Sequence, residues 1–394
     1  MRLPVSKKWS DQVMSGLVVM ALFIPMLVML SGHEAEISGR EKRRLAAKPI
    51  LELRALWSGD YQREYNNYFR DHFGLRDEIL NAARWFRESL FNKSISDRVI
   101  IGREGWRYYS IDGSLRDFIG EYHPTRKQLQ RWEQALRLKQ LWLGSLGVRY
   151  LLVPIPGKMS VYSEYLPDRV RKVAGTTRLQ AFREYLSALP ENEFVVDAYR
   201  VLLDSKTQGP MFFRTDTHWN DHGAYQVYAA VMQDLGKWFP DLAPLPLSQF
   251  ARKVKNKKGD IAQASSVPID LTEPAEALYL LEPCSGSEYR VLESFAQTQA
   301  YREIPKRLPE VNGCPSKQHK AIVIHDSFGQ FLKQFLNESF NEVVYMPSYD
   351  LFGMKSFIEE YQPDVIIDFR VDRRFHLLLE PDPRMAAELG LGQE

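Results

Sequence analysis

From Thr125 onward the chain alternates amphipathic helical patterns with short apolar runs, and this alternation restricts it to an α/β fold. The spacing predicts helices over 125–146, 177–188, 223–238, 328–336 and 354–361, and strands over 148–153, 194–196, 321–324, 342–345 and 364–367. The run VRYLLV, closed by Pro154, Pro156 and Gly157, reads as a buried strand, and a mostly parallel sheet covered by helices follows. Upstream, DRVIIGREGWRYYS sets a β-branched run against a glycine-containing turn and an aromatic run, which predicts a hairpin at the opening of this domain. Between 240 and 317 the periodicity weakens among prolines, the charged run RKVKNKKGD and both cysteines. That stretch is expected to be an irregular insertion with a few strands.

Residues 13–30 read VMSGLVVMALFIPMLVML, 18 positions without a charge, which meets the lower length of a bilayer-spanning helix at roughly 17–25 residues. A signal peptide would also carry a basic leading segment, here Arg2, Lys7 and Lys8, but Ser-Gly-His-Glu after Leu30 offers no small-x-small cleavage site. A retained anchor is the expectation. Arg40, Lys42, Arg43, Arg44 and Lys48 make the far flank basic as well, so charge does not orient the helix. The expected organisation is a tail over 1–12, an anchor over 13–32, a tether and helical region over 33–95 with two helices broken near Gly74, and a main α/β domain over 96–380. With 52 Lys and Arg against 50 Asp and Glu the net charge is +2, too balanced for phosphate-backbone neutralisation, and nucleic acid is excluded as a partner. Cys284 and Cys314 stand outside any CxxC spacing and admit one disulfide or two free thiols; an extracytoplasmic side favours the disulfide.

Two motifs carry chemistry. In AIVIHDSFG an apolar strand runs into a turn with Ser327 at the entry of the next helix, where a serine exposes its hydroxyl beside helix N–H donors. The plainer reading is that Ser327 caps that helix. In RTDTHWNDHGA, Asp216 and His218 lie two apart, so in an extended segment they share a face, and an Asp that orients an imidazole is the supporting half of a Ser-His-Asp triad. The plainer reading is a local hydrogen-bonded turn, with Asn220 or Asp221 capping the helix that follows. Asp216, His218, Asp221 and His222 also offer divalent-ion donor types, but they fall within seven consecutive residues and no distant cluster completes a shell, so neither metal nor cofactor is expected. Lys158, in the loop PIPGKMSVY, and Arg373, near the last strand end, are the candidate substrate-binding residues, against solvated or ion-paired alternatives.

The same segments, with REKRRLAAKP, DHFGLRDEIL, VIIGREGWRYY, VPIPGKMSVYSEYLP and PDVIIDFRVDRRF, occur in an order that resembles the alginate O-acetyltransferase family of AlgJ and AlgX, a branch of the SGNH hydrolases. The resemblance implies Ser327 as nucleophile, His218 as general base and acid, and Asp216 as its orienter. It also implies an acetyl-serine intermediate and transfer to hydroxyls of an exopolysaccharide such as alginate. The implied partners are the polysaccharide acceptor and a membrane-bound O-acyltransferase that supplies acetyl groups. The implied location is the inner membrane, single-pass, with 1–12 cytoplasmic and the catalytic domain in the periplasm, which favours a Cys284–Cys314 disulfide. Two alternatives use the same residues: a carbohydrate O-acetylesterase with water as acceptor, and a non-catalytic subunit of a polysaccharide-export complex. His325 stands where many relatives carry Gly, and Asp372-Arg373 stands where the family has Glu-Arg. The sequence ends about twenty residues past Arg373, without the carbohydrate-binding module of AlgX-like members, so AlgJ is the nearer likeness.

Overall fold

A computed structural model describes residues 7–31, 37–38, 43–51, 59–76, 78–79, 82–83, 86, 98–189, 194–261, 272–284, 288–298, 308–346, 349–375 and 380–391. The chain divides into two compact units, the described residues up to Phe86 and those from Arg98 onward.

In the first unit, helix α1 (Lys7–Leu30) contains the segment Gln12–Leu30, long and apolar enough to cross a membrane. Helix α2 (Asp60–His72) carries a ladder of rings at helical spacing, Tyr61 on Tyr65, Tyr65 on Tyr68 and Tyr68 on His72 at 4.5 Å. Its last turn binds the tether: Asp71 Oδ2 accepts from Ala46 N at 2.8 Å, and His72 Nε2 lies 2.9 Å from the Ala46 carbonyl. Past Gly74, the described residues Arg76, Glu78, Ile79, Ala82, Ala83 and Phe86 are helical, and the rest of that expected second helix lies outside the described residues.

The second unit opens with the hairpin β1 (Val99–Ile101) and β2 (Arg107–Tyr109), antiparallel with Val99 opposite Tyr109. Then come α3 (Arg126–Ser145), β3 (Arg149–Ile155), α4 (Lys158–Val161), α5 (Arg178–Ser187), α6 (Ala198–Ser205) and α7 (Asp221–Gly236). Strands β4 (Phe250–Lys258), β5 (Thr272–Leu280), β6 (Arg290–Val291), β7 (Glu310–Asn312), β8 (Lys320–Ile324) and β9 (Glu342–Met346) lead to α8 (Lys355–Tyr361) and β10 (Val365–Val371). Thr125 and Thr177 start α3 and α5 with capping boxes completed by Gln128 and Gln180.

The sheet runs β3-β10-β8-β9-β7-β6, parallel across the first four strands and antiparallel across the last two. Side-chain alternation divides its core in two. Leu151, Val153, Val323, Val343, Ile367 and Phe369 pack under α6 and α7, while Tyr150, Leu152, Ile322, Val344 and Ile366 pack under α3, α5 and α8. Burial on both faces is why these strands appear in sequence as unbroken apolar runs.

Several elements depart from the sequence reading. β3 continues through Pro154 to Ile155, since Leu152 N donates outward to Phe194 and the proline two residues on lacks its N–H on that same outer edge. Around Val195 the expected strand reduces to a single parallel bridge with Leu152. β10 continues past Ile367 because Asp368 and Arg370, on one face, form a buried pair at 2.6 Å, with Tyr150 Oη donating to Asp368 at 3.0 Å and Tyr349 lying 3.6 Å under the guanidinium. The expected helix over 328–336 is a 3₁₀ turn, Ser327–Phe331, followed by Lys333–Leu336. The insertion holds a regular antiparallel hairpin, β4 with β5, nine residues each.

Cys284 and Cys314 are joined in a disulfide that closes a 30-residue separation around β6 and β7. A loop of that length corresponds to about 2–4 kcal/mol of stabilisation. Reduction with dithiothreitol is expected to lower the thermal midpoint accordingly, and a Cys284→Ser, Cys314→Ser double variant should match the reduced protein in a calorimetric scan and cease to respond to reductant.

Candidate active site

Ser327 follows β8 at the carboxyl end of the parallel strands, where open α/β sheets expose their loops. Asp326 shapes its turn: Oδ1 accepts from Phe328 N at 3.0 Å and Oδ2 from Val371 N, the last residue of β10, at 3.0 Å. One carboxylate therefore caps the turn and fastens it to the neighbouring strand, a role the sequence reading gave to Ser327. Gly329 completes the turn, because a Cβ there would stand 2.4 Å from the Cβ of His325. His325, largely buried against Tyr345, has its imidazole pushed below the ordinary value by burial.

The second half of the site is the turn between Phe212 and Trp219, which pair as an antiparallel bridge. Asn220 caps α7 by accepting from Gly223 N at 2.9 Å and donates from Nδ2 to the Pro210 carbonyl at 2.6 Å. Gly223 admits no side chain, since a Cβ would lie 2.2 Å from the Met211 oxygen. Asp216 and His218 are neighbours through a bend and not through strand alternation: Asp216 Oδ1 accepts both the His218 backbone N–H at 3.0 Å and the ring Nδ1 at 2.6 Å. The local-turn reading and the oriented-imidazole reading describe the same bonds.

Trp219 joins the two halves. Its buried indole Nε1 donates to the Phe328 carbonyl at 3.2 Å, and the His218 ring lies between Phe328 at 4.7 Å and Phe331 at 5.7 Å. His218 Nε2 then falls 2.7 Å from Ser327 Oγ. Serine, histidine and aspartate thus form one hydrogen-bonded chain with the hydroxyl exposed. Burial alone would raise the Asp216 carboxyl. It is outweighed by the two His218 hydrogen bonds and by Lys257, whose Nζ lies 3.5 Å from Oδ2, so this carboxyl is held well below the usual carboxylate range.

Ser327 opens into a cleft of about 590 Å³ whose wall includes His325, Lys333, Tyr349, Arg373 and Arg374. Arg373 therefore lines the cleft that Ser327 opens into, with its Nε 2.8 Å from Asp112 Oδ2 and its guanidinium 6.0 Å from the Phe328 ring. Lys158 corrects the expectation made for it. Its buried Nζ donates to the carbonyls of Arg107 and Arg214 at 2.7 Å and of Asp216 at 3.0 Å, which uses all three ammonium protons on backbone and leaves none for a substrate. Burial pushes this amine below its ordinary value, against the three carbonyl acceptors that favour the ammonium. Of the four candidate metal donors, Asp221 accepts from Leu278 N at 2.9 Å and His222 pairs with Glu276, both on β5, so they do not converge with Asp216 and His218. The residues missed in the sequence are Trp219, Asp326, Lys257 and Asp260. The Trp in Asp-x-His-Trp was a signal for the first, while the last two come from the charged hairpin, whose pattern carried none.

Residues 99–282 match the family model described as an SGNH hydrolase-like domain, acetyltransferase AlgX. The match contains Asp216 and His218 and ends before Ser327. A protein of Pseudomonas aeruginosa named "Probable alginate O-acetylase AlgJ" is 28% identical over 178 residues, 44% of this chain and 41% of that protein. The protein of that name from Pseudomonas putida is 28% identical over 176 residues, 44% of this chain and 43% of its own. The chain thus spans about two fifths of the length of these curated relatives. Among solved structures, the O-acetyltransferase domain of Pseudomonas putida AlgJ aligns with 18% identity and a TM-score of 0.44, covering 74% of this chain and 98% of that one.

Beside this centre, Asp372 Oδ2 accepts from Gly157 N at 2.5 Å, and burial, with the Asp117 carboxylate adding to it, pushes the Asp372 carboxyl up to about 7. Raised above its unfolded value near 4, this group stabilises the fold fully below about pH 4, and the contribution is lost as pH rises towards 7. An Asp372→Asn variant lacks that term. Its urea midpoint is expected to rise relative to wild type between pH 5 and pH 8; parallel midpoints would refute the assignment.

Proposed function

We propose that this protein is a serine-dependent O-acetyltransferase that moves acetyl groups onto hydroxyls of an exopolysaccharide, alginate or a similar polymer. The observation that carries the reading is the unbroken hydrogen-bond chain from exposed Ser327 Oγ through His218 to Asp216. The AlgJ relatives supply the acceptor class. Ser327 Oγ attacks the carbonyl carbon of an acetyl ester while its proton passes to His218 Nε2. Collapse of the tetrahedral adduct breaks the bond to the donor oxygen, which leaves as an alcohol with that proton, and acetyl-Ser327 remains. A polysaccharide hydroxyl then attacks the acetyl carbon, yields its proton to Nε2, and release of Ser327 returns that proton to Oγ. Asp216 keeps Nδ1 protonated and stabilises the imidazolium formed in both steps. Arg373 in the cleft wall binds acceptor or donor oxygens.

The cellular setting belongs to the same proposal. α1 anchors the chain once in the inner membrane, the catalytic unit faces the periplasm, and the disulfide suits that oxidising side. A membrane-bound O-acyltransferase supplies the acetyl group. An esterase reading has one observation in its favour, the exposure of Ser327, which admits water as acceptor.

The test is to offer the purified protein an activated acetyl ester with and without polymer, following acetyl-enzyme by intact mass and product by the ester content of the polymer. Wild type should acetylate the polymer, and Ser327→Ala should lose about a thousandfold or more of the rate and all acetyl-enzyme. Release of acetate alone, with unmodified polymer, would establish the esterase instead, and full activity in Ser327→Ala would sink the serine mechanism.

A further inference from the structure

The hairpin inserted after α7 reaches back to the site. A Cβ on Gly259 would lie 2.1 Å from the Thr215 oxygen and 2.6 Å from Asp216 N, so the chain leaving β4 presses directly on the backbone of the histidine turn. The residues on either side of that contact bear opposite charges. Lys257 Nζ lies 3.5 Å from Asp216 Oδ2 and over the rings of Phe213 at 4.0 Å and Phe331 at 5.0 Å. Asp260 accepts from Thr217 N at 2.7 Å and Thr217 Oγ1 at 2.6 Å, brings Oδ2 to 3.6 Å from His218 Nδ1, and donates its own N–H to Asp216 Oδ2 at 3.2 Å.

We propose that residues 257–260 are a positioning element of the catalytic pair, with Lys257 and Asp260 loading Asp216 and His218 in opposite electrostatic senses. The inference rests on His218 acting as the base. Asp260 presents a second anion to Nδ1 and favours the imidazolium; Lys257 presents a cation to the orienting carboxylate and opposes it. Among the described residues, the other charged groups facing the pair are Lys158 at the Asp216 carbonyl, Glu273, which accepts from Thr215 N and Oγ1, and Arg373 over Phe328. His325, Glu310, Lys333 and Arg374 line the cleft beyond Ser327. Of all these, Lys257 and Asp260 alone come from one short segment on opposite sides of a contact that only glycine permits. The insertion is on this account part of the catalytic apparatus, positioning it without touching substrate.

The experiment is the pH profile of kcat/KM for an aryl acetate in the full-length protein. Asp260→Asn should move the acid limb to lower pH by about half to one unit, and Lys257→Met, which keeps an apolar stem over Phe213 and Phe331, should move it to higher pH by a similar amount. The double variant should return near the wild-type midpoint, and Lys257→Arg should keep it. Should Asp260→Asn fail to fold, the Lys257→Met and Lys257→Arg pair still reads the sign. Midpoints that stay put, or move in the same direction, in variants of a protein whose Ser327→Ala form is inactive would overturn this inference alone. A fully active Ser327→Ala would overturn the acyl-transfer reading and this inference with it.

Discussion

The indole N–H of Trp219 donating to the Phe328 carbonyl is the interaction on which the site depends. Histidine and serine come from turns 109 residues apart, and a catalytic hydrogen bond tolerates errors of only a fraction of an ångström. The indole sits one residue after His218 and its acceptor one residue after Ser327, so this buried bond fixes the separation of the reacting side chains at nearest remove. Each turn is fastened separately to its own support. Asp326 holds the serine turn to β10, and Asn220 holds the histidine turn to α7.

Charge is placed with comparable economy. Asp216 is buried, yet every contact of its carboxylate is a donor or a cation, which keeps it ionised despite the desolvation that burial imposes. Asp372, a few ångströms of chain from the cleft residue Arg373, meets the opposite balance: two backbone donors fail to offset burial and a neighbouring carboxylate. Two aspartates of equal solvent exposure therefore differ in ionisation, because Asp372 is the more deeply buried and because different groups face them.

The parallel strands and capped helices were legible because their signals are local and repetitive: an apolar run, or a threonine with glutamine three residues on. What escaped was long-range compensation. β10 reads as ending at Ile367, since nothing nearby in sequence says that the adjacent Asp368–Arg370 pair will be buried against the distant Tyr150 hydroxyl. The serine turn reads as a helix start because capping residues look alike, whereas the close approach of Gly329 to His325 is a fact of packing. The three residues of the hydrogen-bonded chain could be picked out from two short motifs. Lys257 and Asp260 lay in a polar stretch without apolar rhythm, where a hairpin held by tertiary contact leaves no periodic trace.

Lys158 gives the assembly its order of completion. One ammonium group gathers carbonyls from β2 and from two points of the histidine turn, much as a metal ion gathers ligands from distant loops. Such a node has little value half-made, because an ammonium in an apolar setting with one acceptor is worse than one in water. Opening of the hairpin and loosening of the histidine turn are thereby coupled into a single cooperative event.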